Sequence, residues 1–177
     1  MTRVVVWVSE GTWEGCVDAA ARLAPPDADV TLLHVTDAEV VAAASGAFEG
    51  LLGRGRHDPG EAVRELAGPA ERRLLADAAR RLGRPVRTEV RTGAVEREVT
   101  AACEGADLLV CARDGRRDRL GPPSLGHHTR FVVDHAPCAV LLVWPDQAPG
   151  LDSIPPEPPH PPHHRPGPPR PPGLPPP

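Results

Sequence analysis

Short apolar runs alternate with helix-like patterns along the first 144 residues. The runs are rich in Val and Leu and only four to six residues long, as is typical of strands buried on both faces of a parallel sheet. Five such runs occupy residues 3–8, 30–35, 86–90, 108–112 and 140–143. The third, VRTEV, alternates apolar and polar side chains, which predicts a less buried strand.

Between the runs, apolar side chains recur at the three- and four-residue spacing of one helix face. These patterns occupy residues 13–24, 69–82, 95–103 and 125–136. Pro69 suits the first turn of its helix, and Gly83 is expected to end it. With right-handed crossovers, this alternation predicts an α/β fold: a five-stranded parallel open sheet, doubly wound, in a three-layer sandwich.

Two stretches fall outside this alternation. Residues 37–68 contain a helical patch around residues 40–52 and a breaker cluster, GRGRHDPG, at residues 53–60, and a lid is one role open to them. Residues 146–177 hold fifteen of the chain's 24 prolines and few apolar side chains. We therefore predict one folded domain over residues 1–145 and a disordered, Pro- and His-rich tail over residues 146–177.

The composition narrows the class of protein. A formal net charge of -4 and a pI near 6.0 argue against a nucleic-acid-binding surface. The apolar runs are far shorter than the ~18 residues of a membrane span, and the N-terminus does not resemble a secretion signal, so we expect a cytoplasmic protein. The four cysteines are widely spaced and never form C-x-x-C, which favours buried, reduced thiols over a metal site.

The stretch GRRDRLGPPSLGHH, residues 115–128, carries the candidate chemistry. It follows a predicted strand, and open parallel sheets bind ligands beyond the carboxyl ends of their strands. Gly115 and Gly126 would let the backbone approach a phosphate closely, and residues 113–119 hold four arginines against two aspartates. Ser124 is expected to cap a helix beginning near Leu125, leaving N–H groups at its start to face an anion.

Other residues of the same stretch oppose a phosphate site. Ala112 adds a methyl group at the strand end, and Pro122 and Pro123 remove two N–H donors. His127 is bulky, and a pair with His128 would not chelate a metal well because neighbouring helical residues project about 100° apart. The stretch can thus be interpreted as a phosphate-binding loop or as a surface connection.

The segment DLLVCARDGRRDRLGPPSLGHHTRFVVDHAPCAVLLV (107–143), together with TLLHV (31–35) and Gly93, resembles the universal stress protein family. The resemblance extends over residues 3–144. It implies a homodimer that pairs the last strand, residues 139–143, and a cleft that binds ATP or AMP, with Mg²⁺ if ATP is bound.

The family's glycine signature aligns only in part with this chain. Ala112 and Gly115 take the places of its first two glycines, Gly126 follows one residue late, and His127 falls at the hydroxyl position. The resemblance implies nucleotide contacts at Ser9, Glu10, Val35, Ala112, Gly115, Gly126 and His127, and the local excess of arginine adds Arg113 and Arg116 to the expected contacts.

Three functions remain open at this stage. The first is a regulatory, stress-response protein that binds a nucleotide without turning it over rapidly, since the chain lacks the P-loop, dinucleotide and nucleophile-elbow motifs. The second is a slow ATP hydrolase or phosphotransfer enzyme with a metal held by Asp114 or Asp118. The third is a dimeric scaffold without a small ligand, whose unknown protein partner binds the tail.

Three further polar side chains have simpler interpretations. His34 lies in a predicted buried strand, which favours a hydrogen-bonded core histidine. Glu14 and Asp18 lie one helical turn apart, where a solvated helix face explains them better than an acid pair.

Overall fold

A computed structural model describes residues 1–43 and 59–156, with the backbone alone for residues 59–67. The described strands are β1 (Arg3–Trp7), β2 (Asp29–Asp37), β3 (Arg87–Gly93), β4 (Leu108–Ala112) and β5 (Ala139–Val143). They form one parallel sheet in the order β3-β2-β1-β4-β5. The predicted five-stranded parallel α/β fold is confirmed.

Helices cover both faces of this sheet. They are α1 (Trp13–Leu23), α2 (Pro59–Leu82), α3 (Val95–Ala102) and α4 (His127–His135). On one face, α1 and α2 bury Val17 and Leu75 against Val6 and Leu32, and on the other, α3 and α4 pack on Leu33 and Leu109. The sheet therefore separates two cores, as expected for a doubly wound domain.

Helix α2 corrects one prediction. It begins at Pro59, and Pro69 lies inside it rather than in its first turn. The residues between the two prolines include Glu, Ala, Arg and Leu, which favour helix. They extend the helix on the N-terminal side of Pro69, although an internal proline removes one backbone hydrogen bond. Gly83, with φ +71°, follows the helix end as predicted.

The outer strand β3 confirms the less buried strand that the alternating pattern VRTEV predicts. It lies at the sheet edge, and its Val90 is 45% exposed. The predicted helical patch at 40–52 and the breaker cluster at 53–60 lie largely outside the described residues. In the part of the chain that the structure describes, no helix is long and apolar enough to cross a membrane.

The structure describes residues 146–156, the first part of the predicted tail. They follow β5 and contain a single 3-10 turn at Leu151–Ser153. Asp146 and Ser153 both contact the loop after β4, which fixes this segment on the domain. The remainder of the predicted tail, residues 157–177, lies outside the described residues.

Candidate functional site

A cleft of about 630 Å³ opens at the carboxyl ends of β1, β2 and β4. In the sheet, β2 lies on one side of β1 and β4 on the other, so the strand order reverses at β1. The cleft lies at this reversal point, where open parallel sheets bind their ligands. Its lining residues are Trp7, Ser9, Glu10, Thr12, His34, Val35, Ala70, Glu71, Leu74, Val95, Ala112, Asp114, Arg117, His128 and Thr129.

The structure divides the predicted contact residues into two groups. Four line the cleft: Ser9, Glu10, Val35 and Ala112. The other five do not belong to its lining: Arg113, Gly115, Arg116, Gly126 and His127. The second group lies in, or next to, the connection between β4 and α4, which we call the 113–126 loop.

The 113–126 loop is closed by its own hydrogen bonds. The Gly115 N–H donates to the Ser124 carbonyl (3.0 Å) and the Arg116 N–H to the Pro123 carbonyl (2.9 Å). The Gly126 N–H, at the start of α4, donates to Oδ1 of Asp114 (2.7 Å). The prediction of free N–H groups facing a phosphate is therefore wrong for Gly115, Arg116 and Gly126, because the protein itself occupies these three donors.

The two glycines are explained by this closure. A Cβ atom on Gly115 would lie 2.4 Å from the Pro123 carbonyl oxygen, and one on Gly126 would lie 2.8 Å from the Asp114 carboxylate. Gly115 thus needs glycine, because its neighbours are backbone atoms, whereas a side chain at position 126 would displace the Asp114 carboxylate from its hydrogen bond with the Gly126 N–H. A bound ligand is not required to explain them.

Ser124 does not cap α4 as predicted. It ends a 3-10 turn at Pro122–Ser124, is fully buried, and donates its hydroxyl to the Gly121 carbonyl (2.7 Å). Helix α4 starts at His127 after Gly126, with no side-chain cap. The two prolines favour the tight turn, which directs the serine inward and moves the helix start downstream.

The charged side chains of the cleft are mainly acidic. Glu10, Glu71 and Asp114 contribute three carboxylates, and Arg117 is the one arginine among the described lining residues. Thr36 Oγ1 donates to Glu71 Oε1 (2.5 Å), so this carboxylate is partly satisfied by the protein. With neutral histidines, the lining carries an excess of negative charge, which opposes a ligand with several phosphates.

Two histidines in the cleft have their orientation fixed. His34 Nδ1 lies 2.9 Å from the Val8 carbonyl oxygen, which can only accept, so Nδ1 carries the hydrogen. In the neutral ring, Nε2 of His34 is then an acceptor. The prediction of a hydrogen-bonded histidine is correct, but His34 is only partly buried and forms part of the cleft wall rather than the core.

His128 is oriented by a carboxylate. Its Nδ1 lies 2.7 Å from Oε2 of Glu96, on α3. A backbone hydrogen bond within Glu96 and the bond from His128 lower the pKa of this carboxyl group below its ordinary value. Glu96 is therefore ionised near neutral pH and holds the imidazole at the edge of the cleft.

The remaining candidates lie away from this chemistry. Asp18 forms two hydrogen bonds with Arg81 of α2, each of 2.7 Å, outside the cleft. His127 is exposed, and its ring meets that of His128 edge to face. Across residues 1–43 and 59–156, no three His, Cys, Asp or Glu side chains are grouped to hold a metal ion.

Sequence reasoning missed several lining residues. Glu71 and Leu74 lie on α2, within the span 69–82 that was predicted to be helical, but the pattern did not show that this part of the helix borders the cleft. Arg117 was grouped with the other loop arginines, although it alone lines the cleft. Thr12 also lines the cleft, and its position in the connection between β1 and α1 was the available signal.

The fold and the cleft define an open parallel α/β domain of the type that carries its site at the strand carboxyl ends. Residues 1–143 match the Universal stress protein family. The chain therefore belongs to the universal stress protein family. No curated protein matches the sequence.

Solved structures agree with this fold. Hypothetical protein MJ0577 is 19% identical, with a TM-score of 0.61 over 83% of this chain and 98% of that one. Universal stress protein UspA from Lactobacillus plantarum is 23% identical, with a TM-score of 0.54 over 80% and 97%. A universal stress protein in complex with cAMP is 18% identical, with a TM-score of 0.51 over 82% and 98%.

Proposed function

We propose that this universal stress protein is a cytoplasmic regulatory binding protein whose cleft takes a nucleoside or nucleoside monophosphate, adenosine or AMP, in preference to ATP. The observation that carries the proposal is the closed 113–126 loop, whose Gly115, Arg116 and Gly126 N–H groups are bonded within the protein. A nucleotide-type ligand is the first class to consider because a protein of the same fold is described in complex with cAMP.

The cleft suits a flat ligand of low charge. Its volume of about 630 Å³ is that of a small-molecule pocket. Trp7, Val35 and Val95 provide apolar surface, and His34 Nε2 would accept a hydrogen bond from an amino group. The Glu10 carboxylate would accept hydrogen bonds from sugar hydroxyls. These groups match a base and its sugar better than a polyphosphate.

A slow ATP hydrolase is less well supported by the same contacts. It would need a free carboxylate for a metal near the phosphates, and Mg²⁺ would enter only with ATP. Asp118 is bound by Arg116 through contacts of 2.6 and 3.0 Å. Asp114 accepts from the Gly126 N–H, so both candidate metal ligands already have partners.

Isothermal titration calorimetry of the full chain tests the proposal. Adenosine and AMP are expected to bind, and ATP with Mg²⁺ at least tenfold more weakly. His34→Phe removes the Nε2 acceptor at similar volume and should weaken adenosine binding. His127→Phe is the matched control, because His127 is exposed outside the cleft. Tighter binding of ATP than of adenosine would contradict the proposal.

We also propose that the protein forms a homodimer through β5. This strand lies at one edge of the sheet, and its residues from Val140 to Val143 are only partly buried. An apolar edge strand is usually covered, and pairing with a second copy would cover it. Light scattering coupled to gel filtration should give two chains per particle. One chain per particle at micromolar concentration would contradict the dimer.

A further inference from the structure

The chain continues past the family match in a segment that returns to the site. We call residues 144–156 the C-terminal strap. The Trp144 ring lies 4.9 Å from the Arg113 guanidinium carbon, and the Leu120 N–H donates to Ser153 Oγ (3.1 Å). The strap thus contacts the 113–126 loop through Trp144, at the start of the strap, and through Ser153, near its end.

The contact of most chemical interest is between Arg117 and the strap. Arg117 Nη1 lies 2.8 Å from Asp146 Oδ2, and Nη2 donates to the Gly11 carbonyl (3.0 Å). Arg117 is the one arginine among the described residues that line the cleft. Both of its terminal nitrogens are therefore bonded to the protein, and Asp146 neutralises its charge.

We propose that the Arg117–Asp146 pair sets the ligand-charge specificity of the cleft: Asp146 occupies Arg117 and so weakens the binding of a ligand phosphate, and release of the strap would strengthen it. The inference rests on the proposed function and identifies the residues that limit ligand charge. A free guanidinium is suited to phosphate because its planar fork donates two parallel hydrogen bonds.

The pair can be exchanged because it is exposed. The side chains of Arg117 and Asp146 are 43% and 69% accessible, and ion pairs of this kind are weak in water. Asp152 offers an internal comparison on the same strap. It is exposed and lies beside Gly150, so its charge can be removed without changing a contact of the loop.

The test compares Asp146→Asn with Asp152→Asn in the full chain. Calorimetry at about 50 mM salt gives the affinities for adenosine, AMP and ATP, and thermal unfolding with and without inorganic pyrophosphate gives an independent measure of anion binding. Asp146→Asn should bind AMP about threefold to tenfold more tightly, and ATP by a larger factor, with adenosine unchanged. Asp152→Asn should behave like the parent protein.

A second substitution assigns the effect to Arg117. In the double variant Arg117→Gln with Asp146→Asn, the gain for AMP and ATP should disappear. The gain of the single variant should also fall at about 0.5 M salt, since charges on an exposed surface are screened. Equal gains in the Asp146 and Asp152 variants, or an unchanged ratio of AMP to adenosine affinity, would overturn the inference.

The two proposals fail in different ways. If adenosine binds no variant, the proposed function is wrong, and the charge inference is then decided by pyrophosphate alone. Stabilisation of Asp146→Asn by pyrophosphate, but not of the parent or of Asp152→Asn, would still support it. Identical responses of the three proteins to pyrophosphate would overturn it.

Discussion

Replacing Gly115 by alanine should destabilise the domain because the loop leaves no room for a side chain. The new Cβ would lie 2.4 Å from the Pro123 carbonyl oxygen and 2.9 Å from that of Ser124. Both neighbours are backbone atoms, so the two segments must separate. They are joined by the hydrogen bonds from Gly115 and Arg116, and the separation weakens both.

The expected loss follows from those two bonds. Each contributes about 1 kcal/mol net to folding. Alanine recovers about 0.4–1 kcal/mol by restricting the unfolded chain. The free energy of unfolding should therefore fall by about 1–1.6 kcal/mol, which corresponds to a melting temperature lower by about 2–6 °C for a domain of this size.

Urea unfolding followed by circular dichroism measures this loss, with Gly93→Ala as the matched control. A Cβ on Gly93 would meet the Glu98 side chain, with Cγ at 2.8 Å, and this side chain can rotate away. The control should lose less than about 0.5 kcal/mol. If Gly115→Ala is as stable as the parent or as the control, the loop is not closed as described, and Gly115 would again be a candidate for ligand contact.

Three further outcomes are expected. Asp114→Ala removes the acceptor of the Gly126 N–H and should cost about 1–2 kcal/mol in urea unfolding, whereas an unchanged midpoint would contradict this contact. Val99→Ala truncates a fully buried side chain and should cost about 2–3 kcal/mol, against less than 0.5 kcal/mol for a surface change. Burial raises the pKa of the Cys103 and Cys111 thiols from 9.0 to about 12, so their protonated forms stabilise the fold below pH 9, and this contribution is lost as the pH rises towards 12. The urea midpoint should therefore fall above pH 9, and a flat profile would contradict the burial.

The fold could be predicted because its signals are local and repeated. The strands β1 and β4 are buried on both faces, and their continuous apolar runs match the observed bounds within one residue. The start of α2 could not be predicted in this way. A proline within a helix looks locally like a helix start, and only the whole span shows that the helix continues through Pro69.

The cleft could be predicted in part for a related reason. Strand ends mark where the backbone reaches the site, and Ser9, Glu10, Val35 and Ala112, which were expected there, line its wall, while their contacts with a nucleotide stay a prediction. Side chains that come from a helix, such as Glu71, depend on helix register and were missed. The resemblance implied the residues at the strand ends and gave no information on the side chains that α2 contributes to the cleft.

The meaning of the loop glycines could not be read from their spacing. A glycine permits a close approach but does not specify which group approaches, a phosphate or another part of the backbone. The two prolines of the loop were the available sign that the loop bonds to itself. Pro123 donates no hydrogen bond, yet its carbonyl accepts the Arg116 N–H, and the Pro122 carbonyl accepts from Leu125 (3.2 Å) and Arg130 (2.9 Å).

The contacts that limit ligand charge should break in a definite order. Freeing the Gly115 and Arg116 N–H groups requires the loop to open, with the loss of backbone hydrogen bonds around the buried Ser124. Separating Arg117 from Asp146 requires only the exchange of one exposed ion pair. A phosphate entering the cleft therefore competes first with Asp146, so a change in the strap should alter charge selectivity at a lower free-energy cost than any change within the loop.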